Sequence, residues 1–283
     1  MGRSGALAWR PGGIPISPPR ANVSRRTRRR ELMSKFATLE KEYGDLHSAL
    51  FEAAQVHRRL CAPRLVRCGD FEIASEIFAV RYLPGDFFTV EEAGAGLILA
   101  LGDVCGKGLA AGMWTPCLVG LVRVHAAVTS EPHAIVAGVN REFCRMHAPL
   151  TSVFMARLDP ASGMLDYCSA GHPPALLLRA DGRLEALSEG GMLLGMAADA
   201  PFRTGRVELG AGDVLLAYSD GVIESLNNAD QEFGGERLES ELRLARTGSA
   251  DRVLFSILAA VQDFAAPNPL TDDTSLVVVR QSD

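Results

Sequence analysis

The sequence lacks paired cysteines. Cys61, Cys68, Cys105, Cys117, Cys144 and Cys168 are scattered, with no C-x-x-C and no Cys/His spacing that suits zinc. The first 30 residues hold no secretory hydrophobic region, so the thiols are expected to be reduced and the protein cytoplasmic. Long apolar runs are also missing. Gly96–Leu101 and Val253–Ala260 are the best candidates and are core-sized, well short of the roughly 18–20 residues of a membrane helix. There is no G-x-x-x-x-G-K-[ST] loop for a nucleotide phosphate and no G-x-S-x-G elbow for a serine nucleophile. The body contains no internal repeat and no low-complexity tract.

What remains is an ordinary globular composition. With 283 residues, 47% hydrophobic and 22% charged, the chain is long enough for a sizeable core and is not globally disordered. Charge is unevenly placed. Residues 1–30 hold eight arginines and no acid, so the rest carries −13 of a chain total of −5. Prolines and glycines interrupt this arm, and its one aromatic residue, Trp9, makes no aromatic-basic interleaving of the kind that stacks bases. A disordered arm is therefore expected, with no nucleic-acid partner.

Residues 31–63 read as a linker helix. Leu32, Phe36, Leu39, Tyr43, Leu46, Leu50, Ala53, His57 and Leu60 alternate in spacings of four and three, a heptad seam that predicts a homodimeric coiled coil. Gly44 weakens it. The competing reading is an amphipathic helix packed on its own domain.

From residue 67 to 281 the order is strands (Phe71–Tyr82, Phe87–Val90 and Gly96–Leu101), a helix pair (about Ala110–Val128 and Pro132–Met146), hairpin strands (Ser152–Leu158, Leu165–Ser169 and Ala175–Arg179), a strand at Val214–Tyr218, two more helices (about Glu236–Arg246 and Arg252–Phe264) and a last strand, Leu276–Arg280. The turns Asp159-Pro160-Ala161-Ser162-Gly163 and Ala180-Asp181-Gly182 favour antiparallel hairpins over βαβ units. The fold class expected is α+β, a sheet-and-helix sandwich.

Four segments put an aspartate at the edge of an apolar strand: Asp86, Asp103, Asp220 and the pair Asp272-Asp273. Taken singly, each is a common turn residue. Gathered at one cleft, they would repel one another unless cations compensate, and oxygen-only ligands suit Mg²⁺ or Mn²⁺. Lys107, His172 and Glu224 also lie in these segments. Lys107 is either a phosphate contact or a plain surface lysine, His172 either a general acid or a turn residue, and Glu224 either a supporting acid or a solvated one.

The segments Leu83-Pro84-Gly85-Asp86-Phe87-Phe88, Gly102-Asp103-Val104-Cys105-Gly106-Lys107-Gly108, Ser169-Ala170-Gly171-His172-Pro173-Pro174, Tyr218-Ser219-Asp220-Gly221-Val222-Ile223-Glu224 and Asp272-Asp273-Thr274-Ser275 together resemble the PPM (protein phosphatase 2C-type) serine/threonine phosphatases. Within these, the match is to the bacterial SpoIIE-like branch that acts on regulators of sigma factors. The resemblance implies a four-layer α-β-β-α sandwich with two antiparallel sheets over residues 67–281. It also implies two Mn²⁺ or Mg²⁺ ions bridged by Asp103, with the Val104 carbonyl helping one of them. Asp220 and Asp272 would be further ligands, Asp273 the fallback for Asp272, and Asp86 a member of the same cluster, directly or through water. Pro84, Cys105 and Ser275 depart from the family pattern, and none of them deletes a carboxylate. The implied substrate is a phosphorylated anti-sigma-factor antagonist, with an upstream regulator in control. The alternative is a scaffold of the same fold that has lost catalysis.

Overall fold

The computed structural model describes residues 25–60, 64–94 and 96–281. The chain divides into two compact units, residues 1–49 and 50–283. Helix α1 (Arg25–Leu60) runs through the end of the first and the start of the second. It starts earlier than the seam suggested, because no proline lies between Pro19 and Pro63 and Arg, Glu, Leu, Lys and Ala are good helix formers. Residues 25–30 of the expected arm are therefore helical, and residues 1–24 lie outside the described residues. In the first unit Leu32, Phe36, Leu39, Tyr43 and Leu46 are each more than half exposed. In the second, the helix ends against the body. There Arg123 donates from Nη2 to the Leu60 carbonyl at 3.1 Å and from Nε to Glu91 at 2.6 Å, which satisfies a carbonyl that the helix end would leave open.

The second unit continues with β1 (Leu65–Cys68), β2 (Phe71–Phe78), β3 (Asp86–Ala93), β4 (Gly96–Val104), α2 (Leu109–Ala126), α3 (Pro132–Met146), β5 (Thr151–Leu158), β6 (Met164–Ala170), β7 (Ala175–Leu178), β8 (Leu184–Leu187), β9 (Gly190–Gly191), β10 (Gly205–Glu208), β11 (Val214–Tyr218), α4 (Asp220–Ile223), α5 (Gly234–Ala245), α6 (Ala250–Ala265) and β12 (Thr274–Gln281). One sheet has the order β1-β2-β12-β11-β7-β8. The other has the order β10-β6-β5-β4-β3, with β9 added parallel to β6. All other pairings are antiparallel.

Three apolar layers hold this together. Between the sheets lie Phe71, Ile73, Phe88, Leu99, Leu101, Phe154, Leu177, Leu215, Val277 and Val279. On the outer face of the β3–β6 sheet, Ile98, Ala100 and Met155 meet Leu118, Val122, Ile135 and Phe143 of α2 and α3. On the outer face of the other sheet, Leu216, Leu276 and Val278 meet Leu238, Val253, Leu254 and Ile257 of α5 and α6. The result is the four-layer α-β-β-α sandwich. Central strands such as β4 are buried on both faces, which is why Gly96–Leu101 reads as an unbroken apolar run.

One expectation needs correcting. Helix α2 does reach the length and mean hydropathy (18 residues, 1.2) at which a membrane span becomes conceivable. Its apolar side, however, is spent on the sheet. Ala111, Gly112, Leu118, Val119, Val122 and Ala126 are buried there, and Arg123 and His125 interrupt its end. The structure also adds β1, β8, β9, β10 and α4, which had not been expected, and stops the Phe71–Tyr82 strand at Phe78.

Gly102, next to Asp103, is held by close packing. A Cβ there would stand 2.4 Å from the Ser152 carbonyl oxygen and 2.5 Å from the Phe87 ring. Gly102→Ala should therefore destabilise the protein by about 1–3 kcal/mol. Urea unfolding reads this out, and an unchanged midpoint would contradict the packing.

Candidate metal centre

The four acidic segments meet where strand ends of the two sheets adjoin. Asp86 opens β3 and pairs in register with Asp103, the next-to-last residue of β4. Asp220 opens α4 directly after β11, and Asp272-Asp273 immediately precede β12. Two glycines allow the approach. A Cβ on Gly85 would stand 3.1 Å from both Asp103 Oδ1 and the Val104 carbonyl oxygen, so these two oxygens face one point. A Cβ on Gly221 would lie 2.0 Å from the Asp273 carbonyl oxygen, so α4 is pressed against the loop that carries Asp272 and Asp273.

The carboxylates feel one another. Asp86 is buried, 2% exposed, and its pKa is raised well above the usual value, first by burial and then by the charge of Asp103. The hydroxyls of Ser275 and Ser219 oppose that shift, and Ser275 Oγ donates to Asp86 Oδ2 in a short hydrogen bond. Asp103 is pushed up to about 6 by burial and then by Asp220, with Asp272 and Asp273 adding to the shift and a hydrogen bond with Asp86 opposing it. Asp273 is raised by burial, yet its two oxygens accept the Val80 and Gly85 N–H groups at 2.9 Å each. It clamps the 79–85 loop. Asp272 instead accepts from Lys107 Nζ at 2.5 Å.

Other candidates in these segments are answered by their surroundings. His172 is buried and its pKa is lowered to about 3, chiefly by burial. Its Nδ1 lies 2.7 Å from Ser152 Oγ. Its neutral ring is a turn residue with no proton to give near neutral pH. Burial, then Asp103 and Asp220, raise the Cys105 thiol, so it is no thiolate nucleophile. Glu224 is raised by burial and then by Asp220, which places it within the field of the cluster. Sequence reasoning missed three roles. Ser219 and Ser275 hold Asp86, and Asp273 clamps a loop. The only available signal was adjacency, since Ser219 precedes Asp220 and Ser275 follows the aspartate pair.

The donor set suits a hard cation: carboxylate oxygens and the Val104 carbonyl, with no imidazole or thiolate among them. Among the described residues no three His, Cys, Asp or Glu side chains are drawn tightly enough to hold an ion as they stand. The residues therefore fit divalent ions by donor type, by the convergence at Gly85 and by their raised pKa values.

Comparison with known proteins agrees with this geometry. The family described as Stage II sporulation protein E (SpoIIE) matches residues 93–282, a span that includes Asp103, Asp220, Asp272 and Asp273 and leaves out Asp86. Protein IcfG of Synechocystis sp. is 24% identical over 224 residues, covering 68% of this chain and 35% of IcfG. Phosphoserine phosphatase RsbU of Bacillus subtilis is 22% identical over 249 residues, covering 86% of this chain and 73% of RsbU. The SiaA-PP2C domain of Pseudomonas aeruginosa superposes with a TM-score of 0.72 at 18% identity, covering 86% of this chain and 99% of that domain.

The raised carboxylates fix a pH dependence. Unfolded aspartates titrate near about 3.9, and Asp103 titrates at about 6 in the folded protein. Between these values the cluster holds extra protons in the native state, so its share of metal-free stability should fall as pH rises from about 4 through about 6, while the lowered His172 and His57 act in the opposite sense over the same range. The lowered surface carboxylates Asp159, Asp181 and Glu185 act below that window. Saturating Mn²⁺ should flatten the slope by favouring the ionised forms. Metal-free melting temperatures of wild type and Asp103→Asn across this range isolate the cluster's share, and a difference between the two profiles that does not change with pH would contradict the coupled cluster.

Proposed function

The chain belongs to the SpoIIE family, and we propose that it is a metal-dependent protein serine/threonine phosphatase. Its substrate is phosphoserine or phosphothreonine on a regulatory protein, an anti-sigma-factor antagonist in partner-switching signalling under an upstream regulator. The observation that carries the reading is the meeting of Asp103, Asp220 and Asp272 from both sheets, with Asp86 behind them in register with Asp103. The name of RsbU, a phosphoserine phosphatase, supports the substrate class.

In this reading Asp103, Asp220 and Asp272 would hold two Mn²⁺ or Mg²⁺ ions, with the Val104 carbonyl helping one of them. When bound, the ions supply a water acidic enough to attack at neutral pH and offset charge on the phosphoryl oxygens. The chain's own residues hold this geometry. Ser219 and Ser275 hold the Asp86 side chain, whose raised pKa lets its carboxyl keep a proton to share with Asp103. Asp273 keeps Gly85 against the Val104 backbone, whose N–H donates to the Gly85 carbonyl at 3.2 Å. Retention of every matched carboxylate argues against the scaffold alternative, because clustered acids without cations are costly.

Asp103→Asn should lower Mn²⁺-dependent hydrolysis of a phosphoserine peptide by more than the ~10–100-fold typical of losing an outer-shell partner, with the fold intact. Asp273→Asn should act on stability first, costing about 1–3 kcal/mol because an NH₂ group would face a backbone N–H. Hydrolysis rates and melting temperatures measured together separate these outcomes. Wild-type turnover by folded Asp103→Asn would remove the two-ion reading.

The five exposed seam residues of α1 support a homodimer through a coiled coil. Lys at both Leu39 and Leu46 would bury charge in that seam and should halve the mass measured by light scattering. A monomeric parent protein would end the coil.

A further inference from the structure

We propose that Lys107 is the built-in counter-ion of this centre: in the metal-free protein its ammonium holds the Asp272 carboxylate, and it surrenders that carboxylate when a divalent cation binds. The inference rests on the metal-dependent reading above and adds a residue that the reading leaves unused.

Three carboxylates of the cluster, Asp86, Asp273 and Asp272, are relieved of their charge in three different ways. Asp86 receives the hydroxyls of Ser275 and Ser219 and shares a hydrogen bond with Asp103. Asp273 receives two backbone N–H groups. Asp272 receives a cation, Lys107 Nζ at 2.5 Å. That contact is the sort a metal ion would replace, since it is a positive charge on a candidate ligand oxygen.

Lys107 is also mounted so that it can leave. Its side chain is 51% exposed and that of Asp272 is 43% exposed, so water can take over both partners. It stands between Gly106 (φ 118°) and Gly108 (φ 71°), left-handed positions at which glycine bends without strain. Either side of this turn is anchored. The Cys105 N–H donates to the Leu150 carbonyl at 2.8 Å, and the Gly112 N–H donates to the Gly108 carbonyl at 3.0 Å. The lysine can therefore swing out while β4, with Asp103 and Val104, and the first turn of α2 stay in place. Arg81, close enough to disfavour the Lys107 charge, adds a push in the same direction.

An incoming ion must displace the ammonium, so the pair sets a threshold on occupancy. Half-exposed ion pairs are weak, and the threshold corresponds to about a two- to fivefold change in affinity. The test uses the full chain as wild type, Lys107→Gln and Lys107→Arg. Mn²⁺ affinity is measured by calorimetry, and melting temperature is measured without and with Mn²⁺. Lys107→Gln should bind Mn²⁺ about two- to fivefold more tightly, melt lower without metal and show a larger rise on adding it. Lys107→Arg should stay near wild type. In an Asp272→Asn background, Lys107→Gln should no longer shift the metal-free melting temperature. Equal or weaker Mn²⁺ binding by Lys107→Gln overturns the counter-ion role while leaving the metal reading in place. A wild-type chain that binds no Mn²⁺ overturns both.

Discussion

Five carboxylates brought together at the junction of two sheets are the constraint to which the rest of the site answers. Like charges in a partly buried place cost free energy unless they are protonated, hydrogen-bonded or paired. The protein uses all three. Asp86 and Asp103 hold protons more tightly than usual. Asp273 turns its charge into two backbone hydrogen bonds. Asp272 leans on Lys107. Asp220, at the start of the four-residue α4, stays exposed to water. The fold does not remove the repulsion. It distributes it so that each carboxylate stays close to the same open space.

That arrangement depends on where side chains are absent. Gly85, Gly102 and Gly221 each stand where a methyl group would strike a backbone oxygen, a ligand oxygen or an aromatic ring. At Gly85 the missing Cβ leaves Asp103 Oδ1 and the Val104 carbonyl facing a common point. At Gly221 it lets α4 touch the Asp273 backbone. The glycines of these motifs therefore act less as turn formers than as permission for two sheets to bring their acidic ends together. The aspartates supply the charge and the glycines supply the proximity.

Much of this was legible in the sequence, for stateable reasons. Helix α3 was expected at Pro132–Met146 and β11 at Val214–Tyr218, and both are found there. Pro132 marks a helix start, and an unbroken Val-Leu-Leu-Ala-Tyr run belongs to a strand buried on both faces. The short edge strands β1, β8 and β10 were not legible. They have four residues each, with half-exposed faces and no strong period. Helix α2 passed unnoticed as a long apolar helix because Gly112, Thr115, Pro116 and Gly120 break up its run of large apolar residues. The aspartates announced themselves by position at strand edges, but their division of labour did not. Nothing in the pair Asp272-Asp273 says which one faces a lysine and which one faces two N–H groups. That choice is made by the 79–85 loop, which arrives from nearly two hundred residues away in sequence.

The same loop connects the centre to the end of α1. Its residues Ala79, Tyr82 and Pro84 line a cavity of about 220 Å³ together with Ala54, His57 and Arg58 from the last turns of that helix. His57 is 4% exposed there, and neither ring nitrogen has a hydrogen-bond partner. Burial lowers its pKa, so the ring sits neutral under the helix end. The loop thus borders α1 across this cavity at one side and is held at the other by the Asp273 carboxylate. Gly85, which shapes the space beside Asp103, is its last residue before β3. A shift of the last turns of α1 would reach Asp86 and Asp103 through seven residues of irregular backbone, whereas β4 and β12 are pinned by full ladders of strand pairing. The loop is tied to β4 by the Val104 N–H, which donates to the Gly85 carbonyl at 3.2 Å. Its geometry is therefore decided jointly by the helix end on one side and a carboxylate of the cluster on the other.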